Sequence, residues 1–222
     1  MSLVHLRDVE FSYGSARFSL RVNDMRLEPG ESLACMGPSG SGKTTLLELI
    51  AGLLDPVSGQ VEFQGQSWSD LQVAQRQRLR LSNLGLVFQG FELLSALSVE
   101  ENILLPLRFL GRPPRPSHRR AQELMESVGI QDLARQKPAQ LSFGERQRAA
   151  LCRALITNPS LVLADEPTAN LDEESAALVL ALLLSYCKSS NATLFLISHD
   201  AKQSQSMDRV LNMESLAQGA RS

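Results

Sequence analysis

Residues 37–45 read Gly-Pro-Ser-Gly-Ser-Gly-Lys-Thr-Thr, a glycine-rich turn that ends in a lysine and two hydroxyls. Gly37, Gly40 and Gly42, with Pro38, Ser39 and Ser41 between them, let backbone N–H groups converge on phosphate oxygens. Lys43 can reach the β- and γ-phosphates as a point charge, and Thr44 can offer its hydroxyl to Mg²⁺. Before the turn, Glu31 to Met36 reads as a short buried strand; after it, Thr45 to Ala51 reads as a helix. A strand, loop and helix in that order put the phosphates at a helix N-terminus, where the dipole and unpaired N–H groups favour anions. The alternative is a Gly/Ser-rich surface turn, against which the complete motif and its flanks weigh.

Two further groups of residues can work with that cradle. Leu161 to Ala164 is a continuous apolar strand ending in Asp165 and Glu166. Asp165 is placed to hold a Mg²⁺ shell opposite Thr44. Glu166, at the strand end where ligands of such sheets bind, can polarise a water for in-line attack on a γ-phosphate. Standing alone, the two acids would read as a surface turn before Pro167. The second group is Leu141-Ser142-Phe143-Gly144-Glu145, where serine followed three residues later by glutamate predicts a capped helix running to about Ile156. Its N–H groups, the Ser142 hydroxyl and the Gly144 backbone form a second anion site, one without a lysine of its own. Taken alone it would be a well-capped helix and nothing more.

The elements that must position these residues alternate between strands and helices. Leu3 to Phe11 and Arg17 to Leu27 read as strands, Glu28-Pro29-Gly30 and Pro56 to Gly59 as turns, and Val61 to Phe63 and Leu86 to Phe88 as further strands. From about Ser98 to Asn158 the periodicity is helical, interrupted at Gly111 to Pro116. Asp172 opens a helix to about Lys188, and Thr193 to Ile197 is another buried strand. Such alternation predicts an α/β fold with a parallel sheet covered on both faces. The expected organisation is one domain over 1–222, with a core at about 1–89 and 159–222 and a helical lobe inserted at about 90–158.

Composition narrows the class. The 222 residues are 43% hydrophobic and 21% charged, ordinary for a globular chain. A net charge of −2 gives no basic field for nucleic acid. The longest apolar run, Ala176 to Leu184, is about half of what a membrane-spanning helix needs. No charged segment followed by an apolar stretch opens the chain, so an intracellular protein is expected. Cys35, Cys152 and Cys187 are odd in number and widely spaced, which predicts reduced, buried thiols. Arg112, Arg115, Arg119 and Arg120 read as a solvated basic loop, with a contact to lipid headgroups or a partner as the alternative, and His5 and His118 as structural.

Over nearly its whole length the chain resembles the ATP-binding subunits of ABC transporters. The resemblance implies a P-loop NTPase (RecA-like) core with a mostly parallel sheet, an N-terminal antiparallel β portion and an inserted helical subdomain. It implies that Tyr13, in Phe11-Ser12-Tyr13-Gly14, stacks on adenine, and that residues 37–45, Thr45 included, bind the phosphates. Gln89 would link Mg²⁺ and the attacking water to a transmembrane partner. Leu141 to Gln147 matches the signature motif, so Ser142, Gly144 and Glu145 would face ATP. Asp165 matches the magnesium aspartate and Glu166 the catalytic glutamate. His199 matches the γ-phosphate histidine, sharing with Lys43 the stabilisation of developing charge. Asn170-Leu171-Asp172 matches the loop that contacts an opposing subunit. One position departs: Phe143 stands where the family has the first of two glycines.

The implied protein is an ATPase that uses ATP and Mg²⁺, pairs with a second copy, and drives separate transmembrane permease chains from the cytoplasmic face of the inner membrane. The segments around Gln89 to Leu107 and Leu163 to Asp172 are similar to the subgroup of lipoprotein-releasing and macrolide-export ATPases, with a cell-division or other non-transport ABC complex as the alternative. An ABC-type ATPase acting on DNA or ribosomes would usually carry two cassettes or a long coiled-coil insertion, and neither is present. A P-loop kinase would leave residues 141–147 without a purpose.

Overall fold

The computed structural model describes residues 1–14, 18–169 and 171–218. In chain order its elements are β1 (Val4–Ser12), β2 (Ser19–Leu27), β3 (Ser32–Met36), α1 (Lys43–Ile50), β4 (Ser58–Phe63), β5 (Gln66–Ser67) and α2 (Val73–Asn83). They continue with β6 (Leu84–Val87), α3 (Val99–Phe109), α4 (Pro114–Ser127), α5 (Phe143–Leu155), β7 (Leu161–Asp165), α6 (Glu173–Ser190), β8 (Thr193–Ile197), α7 (Ala201–Gln205), β9 (Arg209–Asn212) and α8 (Met213–Gln218). The start of the second strand expected at Arg17 lies outside the described residues.

Two sheets result. One is antiparallel, in the order β2-β1-β4-β5; the other is parallel, in the order β6-β7-β8-β3-β9. Period-2 alternation in the parallel strands explains their unbroken apolar runs. On β7, Leu161 and Leu163 face one core while Val162 and Ala164 face the other. On β8, Phe195 and Ile197 join the first core and Leu194 and Leu196 the second. The first core buries α1 between the two sheets, through Leu46, Leu47, Leu49 and Ile50. The second lies under α3, α4, α5 and α6. Each central strand therefore has no wet face, and its C-terminal end is the only place where it can offer side chains to a ligand.

Several local expectations shift in the structure. Helix α1 starts at Lys43, two residues before the expected Thr45, because Gly42 takes the cap position at φ 95°. The strand before Gln89 spans Leu84–Val87 instead of Leu86 to Phe88. The break expected over Gly111 to Pro116 is shorter, since α4 already begins at Pro114. Proline is tolerated in a first helical turn, where its missing N–H has no intrahelical partner to lose. Arg115, Arg119 and Arg120 accordingly sit on a helix, with Arg119 3.0 Å from Glu123 and Arg120 donating to Asn158 at 2.7 Å. Helix α2 has no buried residue and therefore no apolar stripe to announce it. All three cysteines are free and buried, and burial pushes each thiol up to about 12. His5 sits 2.5 Å from Asp24, and His118 2.7 Å from Glu100. Among the described residues no helix is long and apolar enough to cross a membrane.

Candidate active site

The turn between β3 and α1 is built around Lys43. Its side chain is buried, and its ammonium donates to the backbone carbonyls of Gly37 at 2.9 Å and Pro38 at 3.0 Å. Among the described residues it forms no ion pair. A buried ammonium held only by neutral carbonyls is a costly arrangement, which an anion would relieve. Two glycines shape the space around that anion. At Gly40, with φ 78°, an added Cβ would meet nothing within 4 Å, so the turn is open there. At Gly42 a Cβ would come within 2.7 Å of Phe18 Cζ, so that wall is closed. The Ser41 Oγ is buried with no hydrogen-bond partner, a further polar atom the turn itself does not satisfy.

Behind the turn, the Thr44 hydroxyl donates to Asp165 Oδ2 at 2.8 Å, joining the start of α1 to the end of β7. Burial lifts the Asp165 carboxyl above its ordinary value, and Glu166 beside it adds to this, while the Thr44 hydrogen bond opposes it. Thr44 and Asp165 offer hard oxygen donors, and the Gln89 amide lines the same cleft. That donor set suits Mg²⁺, which in nucleotide sites takes one or two protein oxygens and fills the rest of its shell from phosphate and water.

Glu166, one residue on, adopts φ 46° while its N–H donates to Ile197 O at 3.0 Å. A non-glycine residue held in the left-handed region costs of order 1–3 kcal/mol and is concentrated at working sites. The twist aims its carboxylate at His199, whose Nε2 lies 2.7 Å from Glu166 Oε1. The two loops are tied behind this pair by Gln203, whose amide donates to Thr168 Oγ1 at 2.9 Å and accepts from Ser198 Oγ at 3.0 Å. Gln203 had no motif to mark it in the sequence.

Tyr13 stands over the rim, its hydroxyl 3.1 Å from Thr45 Oγ1 and its ring edge-on to Phe11 at 4.8 Å. It is half exposed where it lines the cleft. Phe18 packs beside it at 5.8 Å, a lining residue that no sequence pattern singled out. Together Tyr13, Phe18, Ser39, Gly40, Gly42 to Thr45, Gln89, Asp165, Glu166 and His199 line one cleft of about 370 Å³. The fold thus brings residues from five separate segments to one place.

Ser142, Gly144 and Glu145 are not part of that cleft. Ser142 caps α5: its N–H and Oγ donate to Glu145 Oε2 at 2.7 and 2.8 Å, and Glu145 N–H returns a bond to Ser142 Oγ at 3.3 Å. These bonds hold the Glu145 carboxyl below its ordinary range. Ser142 is exposed, and a Cβ on Gly144 would face Arg148, Leu171 and Ser175. In the loop expected to meet another subunit, Asp172 caps α6 by accepting from Ser175 N–H at 2.8 Å; Asn170 lies outside the described residues.

Residues 20–169 match the ABC transporter family. A lipoprotein-releasing system ATP-binding protein, LolD, from Hydrogenovibrio crunogenus is 45% identical over 186 residues, 84% of this chain and 81% of its own length. A protein of the same name from Legionella pneumophila (strain Paris) is 43% identical over 192 residues, covering 86% of this chain and 85% of that protein. Among solved structures, a dimeric ATP-binding cassette in a post-hydrolysis state, bound to ADP and Pi, superposes with a TM-score of 0.85. It is 32% identical, with 94% of this chain and 93% of that one covered.

Proposed function

The chain belongs to the family of ABC-transporter ATP-binding subunits, and from that membership we propose that two copies close head to tail around two ATP molecules. ATP binding and hydrolysis are the family's activity and this chain's. One observation carries the paired arrangement: the two anion sites of the chain are separate. The cleft around Lys43 is lined, among the described residues, by none of 141–147, while the α5 N-terminus has no lysine. Each ATP then lies between Lys43 of one copy and Ser142 of the other. Because the triphosphate satisfies both surfaces at once, it favours the closed pair by differential binding.

The residues divide the work. Lys43 exchanges the carbonyls of Gly37 and Pro38 for β- and γ-phosphate oxygens, and Tyr13 offers its half-exposed ring to adenine. Thr44, Asp165 and Gln89 would hold Mg²⁺, which supplies charge neutralisation on the phosphate oxygens. Glu166 orients the attacking water and accepts its proton. His199 and Lys43 stabilise charge on the transferring phosphoryl group. Loss of the γ-phosphate removes the bridge, and the copies separate.

The work passes to separate transmembrane chains at the cytoplasmic face of the inner membrane. A groove of about 480 Å³ between core and helical layer, lined by Leu81, Leu86, Phe88, Pro106 and the largely exposed Phe109, is an apolar seat for such a chain. The lipoprotein-releasing relatives support lipoprotein release as the process served. Mixing two inactive variants tests the shared site. Lys43→Ala and Ser142→Ala chains are each expected to hydrolyse little ATP, but together they form pairs with one intact site and regain activity. A site enclosed in one copy would gain nothing from mixing.

A further inference from the structure

Phe143 breaks the family's signature, and the structure gives it a partner. Its ring meets Phe91 edge to face, with centres 4.6 Å apart and planes at 73°. The Arg146 guanidinium lies 5.7 Å from the Phe91 ring centre and 6.0 Å from that of Phe143. Arg146 also donates to Leu141 O at 3.1 Å, which pins the turn leading into α5. Further along α5, Arg153 donates to Phe91 O at 2.7 Å and to Glu92 O. Phe143, Arg146 and Arg153 fall on one face of α5 by their spacing, and that face carries the loop that follows Gln89.

The loop needs such support. Phe91 and Glu92 both sit in the left-handed region, at φ 63° and 50°, a conformation that non-glycine residues adopt only when held there. Arg153 also lines the apolar groove with Phe88, Pro106 and Phe109. A continuous set of contacts therefore runs from that groove, through the loop, to the first turn of the helix that Ser142 caps. A glycine at 143 would leave the Phe91 ring without its aromatic neighbour and Arg146 with one ring in place of two.

We propose that Phe143 is a positioning residue that locks the loop after Gln89 to the start of α5, so that the loop and Ser142 move as one body. A displacement in the groove then reaches the phosphate-reading turn of this chain directly. This rests on the shared-site reading above, in which Ser142 serves the ATP of the other copy.

Two readouts separate the latch from that reading. In the nucleotide-free chain, Phe143→Leu or Phe91→Leu should raise backbone hydrogen exchange at residues 90–94 by about two- to tenfold, the factor an aromatic pair supports. In a Glu166→Gln background, the ATP concentration for half-maximal dimerisation should rise by a similar factor of about two to ten. The double leucine variant should be no worse than the worse single one. Phe143→Tyr, which keeps the ring, should behave as the parent. Unchanged exchange at 90–94, or fully additive effects, overturns the latch. A Glu166→Gln chain that binds ATP without dimerising overturns the shared site instead, and with it the latch's consequence.

Discussion

Asn102→Ala should destabilise the chain by about 3 kcal/mol, because one fully buried amide organises the whole approach to α3. Its Oδ1 accepts from Leu94 N–H at 2.7 Å, and its Nδ2 points at the carbonyls of Leu94 (3.1 Å), Leu97 (3.2 Å) and Ser98 (2.9 Å). Two amide hydrogens can serve two of those three acceptors, so one accepted and two donated bonds are lost. At about 1 kcal/mol each they total about 3 kcal/mol. Two features keep the figure from rising further. Leu94 is 49% exposed, so water can reach part of its freed backbone, and Ser98 O keeps its helical bond from Asn102 N–H at 2.9 Å. For a chain of this size, 3 kcal/mol corresponds to about 6–12 °C in Tm. Urea unfolding followed by circular dichroism measures the difference. Asn102→Asp retains the acceptor but buries a charge, and should cost at least as much. A loss under about 1 kcal/mol in both variants, with an unchanged m-value, would refute the claim that this amide holds the loop.

Other expectations bear on the site. Tyr13→Ala should weaken ATP binding about five- to 150-fold in calorimetry, the range of a lost base–aromatic stack, whereas Tyr13→Phe should stay within about twofold. Gly42→Ala should lose about 1–3 kcal/mol in thermal unfolding and lose ATP binding, since φ 95° and a Cβ 2.7 Å from Phe18 both oppose it. Asp165→Asn should abolish hydrolysis yet raise the melting temperature of the nucleotide-free chain at neutral pH. Burial lifts this carboxyl, so its charge penalises the folded state above the raised pKa, and the penalty fades as pH falls through it. The advantage of the asparagine should therefore shrink as pH is lowered; an advantage that grows instead would contradict the stated cause.

Much of this was legible in the sequence for identifiable reasons. Strands β7 and β8 are buried at every position because both faces are covered, and Asp165 announces itself by ending an apolar run. Helix α5 carries a reciprocal cap at Ser142 and Glu145 that local spacing reveals. Helix α2 was silent because nothing on it is buried, and β9 because its burial pattern is mostly exposed. At the site, the motifs and the family resemblance named most of the residues that line the cleft around Lys43. They did not find Phe18, Gln203 or the partner of Phe143, since those depend on which loops the fold brings together. Lys43 held by carbonyls and Glu166 paired with His199 are likewise properties of three-dimensional closure alone.

The pairing of two copies around ATP is tested most directly by the solution mass of Glu166→Gln. Its carboxamide leaves Lys43, Thr44, Tyr13 and Ser142 in place but cannot accept the proton of the attacking water. Light scattering with saturating ATP and Mg²⁺ should show the mass doubling, and returning to that of one chain when ATP is replaced by ADP. A variant that binds ATP in full yet keeps the mass of a single chain would contradict the account.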